Sequence, residues 1–254
     1  MVPYKRSWLH TFFMLSIIIP TLNEAKYLDE TLKSLATLGD LPHEIILSDG
    51  GSTDGTLDIA RRYTDKIVVW NKPGVRQTFG QAKNAGAALA NGDYLLFMDA
   101  DVVLKNPKAD VEKILNKFKQ VPTLGALSVP LKVRPEYAWK RDYFFIEPLN
   151  WWYLLSNNVF NFATASGEFQ MFRTDLFKKV GGFSEKLIAG EDNDVFYRMS
   201  KVGKFTIYAD VPAYHTCRRP HKLGWFRTYG IWIKNGLSVT FRNKAAYDEW
   251  LVVR

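Results

Sequence analysis

The sequence predicts an α/β protein: a single domain around a mixed, mainly parallel sheet flanked by helices, followed by a helical C-terminal tail. Three observations lead there. Short β-rich apolar runs alternate with amphipathic helical stretches through the first half of the chain, the pattern of a parallel sheet covered on both faces. The loops after the first, second and fourth of these runs carry carboxylates and glycines, at the strand ends where open α/β sheets bind their ligands. The 254 residues, 47% of them hydrophobic, suffice for one sizeable core, and no linker-like run or internal repeat divides them.

Taken in order, Leu15–Ile19 is a continuous apolar run with β-branched weight, and Glu24–Leu38 sets Leu28, Leu32 and Leu35 on one helical face. Glu44–Ser48 is the second strand, Thr56–Tyr63 a short helix, Lys66–Trp70 the third strand, Gln81–Ala90 an alanine-rich helix and Tyr94–Met98 the fourth strand. Asp110–Gln120, with Val111, Ile114, Leu115 and Phe118 on one face, is a further helix, and Leu124–Pro130 a further strand. Beyond Arg134 the texture changes, and Tyr137–Phe162 is crowded with aromatic residues. Alternation returns with a strand at Phe169–Phe172, helices at Thr174–Val180 and Asn193–Val202, each stopped by glycine, and a strand at Phe205–Tyr208. The expected organisation is a domain over 1–222, with one half over 14–130 and another over 131–222, and a basic, aromatic helical tail over 223–254.

Lys and Arg number 34 against 26 Asp and Glu, a net charge of +8, and aromatic residues make up 15% of the chain, eight of them Trp. An ordinary charged fraction with a high apolar fraction excludes a disordered, collagen-like or low-complexity chain. The single cysteine, Cys217, excludes an intramolecular disulfide and points to a reducing compartment, the cytoplasm. The positive charge suits nucleic acid, anionic lipid or phosphorylated substrates alike and does not choose among them. Near the N-terminus, Lys5 and Arg6 precede the apolar stretch Thr11–Pro20 in the manner of a signal peptide. That stretch is only about half of what a bilayer span needs, lacks a small-residue cleavage site and runs into a polar loop, so a signal peptide is not expected.

The three loops are Pro20-Thr21-Leu22-Asn23-Glu24, Asp49-Gly50-Gly51-Ser52-Thr53-Asp54-Gly55-Thr56 and Asp99-Ala100-Asp101. A dinucleotide-binding glycine fingerprint does not follow the first strand, and no glycine-rich loop ends in Lys and Ser or Thr, which sets aside the dehydrogenase and P-loop readings. Asp99 and Asp101, one residue apart at a strand end, suit an oxygen-preferring divalent cation that also holds phosphates. Alone, so short a pattern reads as a solvated acidic turn; the preceding apolar strand and Asp49 at a neighbouring strand end favour the metal. Gly50, Gly51 and Gly55 serve equally as turn glycines, and Asp54 or Thr56 as caps of the next helix.

In this order and spacing, Ser16–Glu24, Ile46–Thr56, Ala82-Lys83-Asn84-Ala85-Gly86 and Met98–Asp101 resemble the nucleotide-sugar half of family 2 glycosyltransferases with the GT-A fold. The resemblance continues through Gly167, Arg173, Val180-Gly181-Gly182-Phe183 and Gly190-Glu191-Asp192. The commonest second motif has two successive acids before Gly-Ser; here Gly50 stands in the second place and leaves Asp49 to do that work. The resemblance implies a metal-dependent, inverting transferase that moves sugar from a nucleotide sugar, UDP-linked by expectation, to a glycan or lipid-linked acceptor. A length of 254 residues, without room for several membrane spans, adds the expectation of a single sugar per transfer. It further implies that Pro20, Thr21, Glu24 and Asp49 line the nucleoside pocket, that Lys83 lies near the nucleotide, that Asp99 approaches ribose and metal, and that Asp101 ligates Mn²⁺ or Mg²⁺. Asp192 matches the family's catalytic base; without the upstream motifs, Glu191 and Asp192 read as helix-capping acids.

His215-Thr216-Cys217-Arg218-Arg219 falls where the resemblance places a loop that closes over the diphosphate, and paired arginines suit that task. The plainer reading of Arg218 and Arg219 is a solvated basic loop. His215 is a candidate third metal ligand, against the plainer reading of a hydrogen-bonded core or surface histidine. Cys217 reads as inert, with no base specified beside it. The aromatic segment 137–162 is expected chiefly as core, with peripheral membrane contact at the inner face of the membrane as the second reading. The tail, with Arg227, Lys234, Arg242 and Lys244 among Trp225, Phe226, Tyr229 and Trp232, strengthens the second. Two rival functions remain: a sugar-phosphate nucleotidyltransferase, which wants a glycine-rich, arginine-bearing loop where Pro20–Glu24 stands, and a basic nucleic-acid-binding module. Acids at the expected cleft speak against the latter, so no nucleic acid partner is expected.

Overall fold

The structure, a computed structural model, describes residues 13–72, 74–242 and 244–247, so Lys5, Arg6 and the end of the tail lie outside the described residues. The chain begins β1 (Leu15–Thr21), α1 (Ala25–Ala36), β2 (His43–Asp49), α2 (Thr56–Ala60), β3 (Ile67–Val69), α3 (Phe79–Ala88), β4 (Tyr94–Met98), β5 (Val103–Leu104), α4 (Pro107–Gln120) and β6 (Leu124–Ser128). It continues through β7 (Leu131–Val133), α5 (Lys140–Asn158), β8 (Phe169–Arg173), α6 (Thr174–Lys179), α7 (Glu191–Met199), β9 (Lys204–Ile207), β10 (Ala213–His215), α8 (Arg218–Leu223) and α9 (Trp225–Arg242).

A seven-stranded sheet in the order β3-β2-β1-β4-β8-β6-β9 carries the fold, and a three-stranded sheet, β5-β10-β7, lies apart from it. β1 pairs in parallel with β2 on one side and β4 on the other, with Ile18 opposite both Ile46 and Phe97. The chain order reverses at β1, which opens the ligand crevice beyond the carboxyl ends of β1, β2 and β4. β8 runs antiparallel to β4 and β6, so its first residue, Phe169, sits opposite Met98 and the segment before β8 enters the same crevice.

Alternate side chains of β1 build both core layers. Ile17 and Ile19 pack with Leu28, Leu32 and Leu35 of α1 and Ile114 and Phe118 of α4. Ile18 packs with Phe97, Phe172, Phe177, Phe183 and Phe196 on the other face. There α3 lies close to the sheet at Gly86, where a Cβ would come within 2.4 Å of Ile18 Cγ2. Asp54 does more than cap the helix after it: Oδ1 accepts from Thr56 N–H at 3.0 Å and Oδ2 from Ala25 N–H at 3.1 Å, which ties the starts of α2 and α1 together.

The expectation that 137–162 is chiefly core is overturned. Helix α5 buries Asp142, Ile146, Asn150, Ser156 and Asn157, while Tyr143, Phe144, Trp151, Trp152 and Leu155 are exposed. Its inward polar groups are bonded: Asn150 accepts from Leu131 N–H at 2.9 Å and donates to Leu131 C=O at 2.8 Å, so its amide acts as a further strand partner for β7. Asp142 accepts from Trp139 N–H, from Trp225 Nε1–H at 2.8 Å, and pairs with His221 Nε2 at 2.8 Å, fastening α8 and α9 to α5.

Candidate active site

At the ends of β1 and β2 the backbone turns on Asp49. This fully buried carboxylate accepts from Gly51 N–H (2.9 Å) and Ser52 N–H (2.7 Å) on Oδ1, and from the Thr21 hydroxyl (2.9 Å) and Ser52 hydroxyl (2.6 Å) on Oδ2. Gly51 adopts φ +91°, a left-handed conformation that glycine takes without strain. Pro20 and Thr21 end β1 beside this turn, and Asn23, itself left-handed at φ 56°, accepts from Thr53 N–H at 2.8 Å.

The second constellation joins α3, the end of β4, the entry to β8 and the start of α7. Lys83 is buried and its Nζ lies 3.0 Å from Glu191 Oε1. Burial alone would lower the Lys83 pKa, but Glu191, Asp99 and Asp192 outweigh it and hold the amine protonated. Asp99 donates its N–H to Glu168 C=O at 3.1 Å, and burial followed by the Glu168 carboxylate pushes the Asp99 carboxyl up to about 8. Burial, and then the neighbouring Glu191, pushes Asp192 up to about 7. Asn193 orients this carboxyl: its N–H donates to Asp192 Oδ1 at 2.8 Å while its own Oδ1 accepts from Thr164 Oγ1 and from Ala165 N–H. Gly167 leaves room for both partners, since a Cβ there would meet Asp192 Oδ2 at 3.1 Å and Lys83 Nζ at 3.6 Å.

The third constellation is a strap across the crevice. Arg218, on the first turn of α8, donates from Nε to Asp101 Oδ2 at 3.1 Å and from Nη1 to Glu24 Oε2 at 2.8 Å, and its guanidinium lies 5.0 Å from the Tyr27 ring centroid. Burial pushes Asp101 up, but Arg218, His215 and the Thr216 hydroxyl outweigh it and hold the carboxyl below its ordinary value. His215 is buried with its Nε2 3.6 Å from Cys217 Sγ, and burial pushes the Cys217 thiol up, away from reactivity. Arg219 is half-buried on the same turn. Among the described residues no three His, Cys, Asp or Glu side chains are gathered as a ready cage. The charge distribution nonetheless fits a divalent cation: Asp99 holds a proton against a surplus of buried negative charge, and its neighbour Asp101 leans on Arg218 for compensation.

Sequence reading missed Glu168, Asn193 and Tyr153, whose phenol is held well above its usual range by burial and then by Glu168 and Asp192. Glu168 follows a glycine and opens a strand, a signal that means a site only once β8 is known to run antiparallel to β4.

A family model described as Glycosyl transferase family 2 matches residues 16–181. The chondroitin synthase of Pasteurella multocida is 28% identical over 209 residues, 81% of this chain and 21% of that protein. A PGL/p-HBAD biosynthesis glycosyltransferase of Mycobacterium tuberculosis is 45% identical over 94 residues, 35% of each chain. The chain thus spans about a fifth of the first relative's length and about a third of the second's. Among solved structures, the mannosyltransferase PcManGT from Pyrobaculum calidifontis in complex with GDP-Man and Mn²⁺ superposes with a TM-score of 0.69 at 22% identity, covering 90% of this chain and 63% of that one. That likeness shows a shared fold, the GT-A fold.

Proposed function

Because the chain belongs to glycosyl transferase family 2, we propose that it transfers a single sugar from a nucleotide sugar, with UDP as the leading nucleotide, to a glycan or lipid-linked acceptor, with inversion at the anomeric carbon. One observation supports the reading: in a single crevice the Asp192 carboxyl, pushed up to about 7, stands with Gly167 between it and the buried Lys83, whose charge also meets Asp99. A carboxyl so set suits a general base. The acceptor hydroxyl oxygen attacks the anomeric carbon while Asp192 takes its proton. The bond from that carbon to the phosphate oxygen breaks, and its electron pair leaves with the nucleoside diphosphate.

Pro20, Thr21, Glu24 and Asp49 line the nucleoside side, where Asp49 exchanges one of its hydroxyl donors for a base or ribose group. Lys83 stays charged among Glu191, Asp99 and Asp192, so one cation steadies both ends of the reacting line. Asp99 and Asp101, with His215 behind them, would hold Mn²⁺ or Mg²⁺, which when bound supplies charge neutralisation of the diphosphate. Arg218, released from Asp101, turns its fork to the same phosphates, with Arg219 as its neighbour. Among the described residues no helix is long and apolar enough to cross a membrane; the cytoplasm, with peripheral membrane contact, is the proposed compartment, on the strength of the single cysteine and the basic, aromatic tail. Titration with UDP and GDP, with and without Mn²⁺ or Mg²⁺, tests the reading; no binding of either nucleotide under any of these conditions sinks it.

A further inference from the structure

The outer face of the second half of the chain plays no part in that chemistry. On α5 and its C-cap, Phe144, Pro148, Trp151, Leu155 and Val159 recur at the spacing of one helical stripe, and the stripe points outward, with Phe144 75% and Trp151 61% exposed. On α9, Phe226, Gly230, Ile233 and Leu237 make a second outward stripe, with Phe226 82% exposed. The two meet at Phe145, whose ring centroid lies 5.3 Å from those of both Phe144 and Phe226. Both helices also turn apolar side chains inward, Ile146 on α5 and Trp225 and Val239 on α9, so the outward stripes are a second apolar face, and one this continuous marks a contact.

The border of the face identifies its occupant. Lys140 and Arg141 stand at the start of α5, Lys222 just before α9, and Arg227 and Lys234 along α9, all exposed, against the one exposed acid of α5, Glu147. The Arg141 guanidinium lies 4.4 Å from the Trp139 ring centroid. Protein interfaces are depleted in Lys, whereas Trp and Phe bordered by Lys and Arg suit the headgroup region of an anionic bilayer. Both helices also reach the reaction centre from behind. Tyr153 of α5 faces Glu168 and Asp192, Asn157 donates to Thr164 C=O at 2.7 Å beside Asn193, and Asn235 and Val239 of α9 press on Gly190.

We propose that the outer faces of α5 and α9 together form a docking surface for an anionic lipid bilayer, with the aromatic side chains among the headgroups and the basic ones on lipid phosphates. The proposal deepens the transferase reading and rests on it for one consequence only, that an acceptor held in the bilayer approaches Asp192 from the α5 side. Flotation of the full chain with vesicles of phosphatidylcholine alone, or with phosphatidylglycerol added, tests it. The chain is expected to float with the anionic vesicles, less so as salt rises. The triple change Phe144→Ser, Trp151→Ser, Phe226→Ser, and separately Lys140→Glu with Arg227→Glu, should each lower partitioning by roughly tenfold or more, with nucleotide binding unchanged in the same samples. No flotation on anionic vesicles, flotation indifferent to both sets of changes, or a dimer that these changes dissolve in place of vesicle binding would overturn the proposal. Intact flotation without UDP or GDP binding would strike the transferase reading and leave the docking surface standing.

Discussion

Two regions of the molecule, the strand-end crevice and helix α5, bury polar side chains in opposite ways. At the strand ends Asp99 and Asp192 are crowded by Glu168 and Glu191 around one shared cation, Lys83, and their carboxyls rise to about 8 and about 7. On α5, Asp142, Asn150 and Asn157 are buried too, but each is bonded to several partners: Asn157 donates to Tyr153 and Thr164 carbonyls and accepts from Thr164 N–H. Uncompensated charge is a state that a proton, a cation or a substrate relieves, which is the property of a reacting site. Satisfied polarity fixes the chain and leaves the opposite side of the helix free to be apolar.

The sharpest way to break this contrast is Asp192→Asn. Transfer should fall by about 10²–10⁴-fold with donor affinity nearly unchanged, in steady-state kinetics set beside nucleotide titration; near-normal transfer removes the base assignment. The same variant should melt higher than the parent. The Asp192 carboxyl titrates near 7 folded but near its ordinary value unfolded, so the native state binds the extra proton and its stability falls as pH rises through that window. The gain in Tm should therefore be larger at pH 8 than at pH 5, and in the parent kcat/KM for the acceptor should fall as pH drops through about 7.

Asn150→Ala tests the other side of the contrast. It strands the N–H and C=O of Leu131, at about 1–3 kcal/mol for each orphaned group in urea unfolding, and raises Tm at no pH. Arg218→Lys is a smaller perturbation, because a single ammonium does not bridge Asp101 and Glu24. Donor affinity should drop by roughly tenfold by calorimetry. Phe144→Ser, on the exposed stripe, should change unfolding free energy least, within about 0.5 kcal/mol; a large loss would mean that this residue serves the core.

β1, β2 and β4 were legible because they are five to seven residues long and their site loops follow parallel strands directly, as Asp49 and Asp99 do. The small sheet was not, since β5 has two residues and β7 and β10 three each, too short for any alternation to register. Glu168 stayed hidden because strand direction is a tertiary fact: only the antiparallel run of β8 brings a residue that precedes a strand to the end of β4. The aromatic segment misled for a related reason. Hydrophobicity reports that a face avoids water, without saying whether the core or another apolar phase receives it, and the inward bonds of Asp142, Asn150 and Asn157 decide that on α5.

Gly190 caps α7 at φ +89°, and a Cβ there would lie 2.9 Å from Val239 Cγ2 and 3.0 Å from Asn235 Nδ2 of α9. The loop that presents Glu191 and Asp192 is thus seated by a helix that follows it in the chain. During translation β1 to β4 can fold as the chain emerges, whereas Asp192 acquires its setting only after Val239 has left the ribosome. Emergence of α9 is thereby a condition for the setting of Asp192, and a chain stopped short of Val239 lacks it.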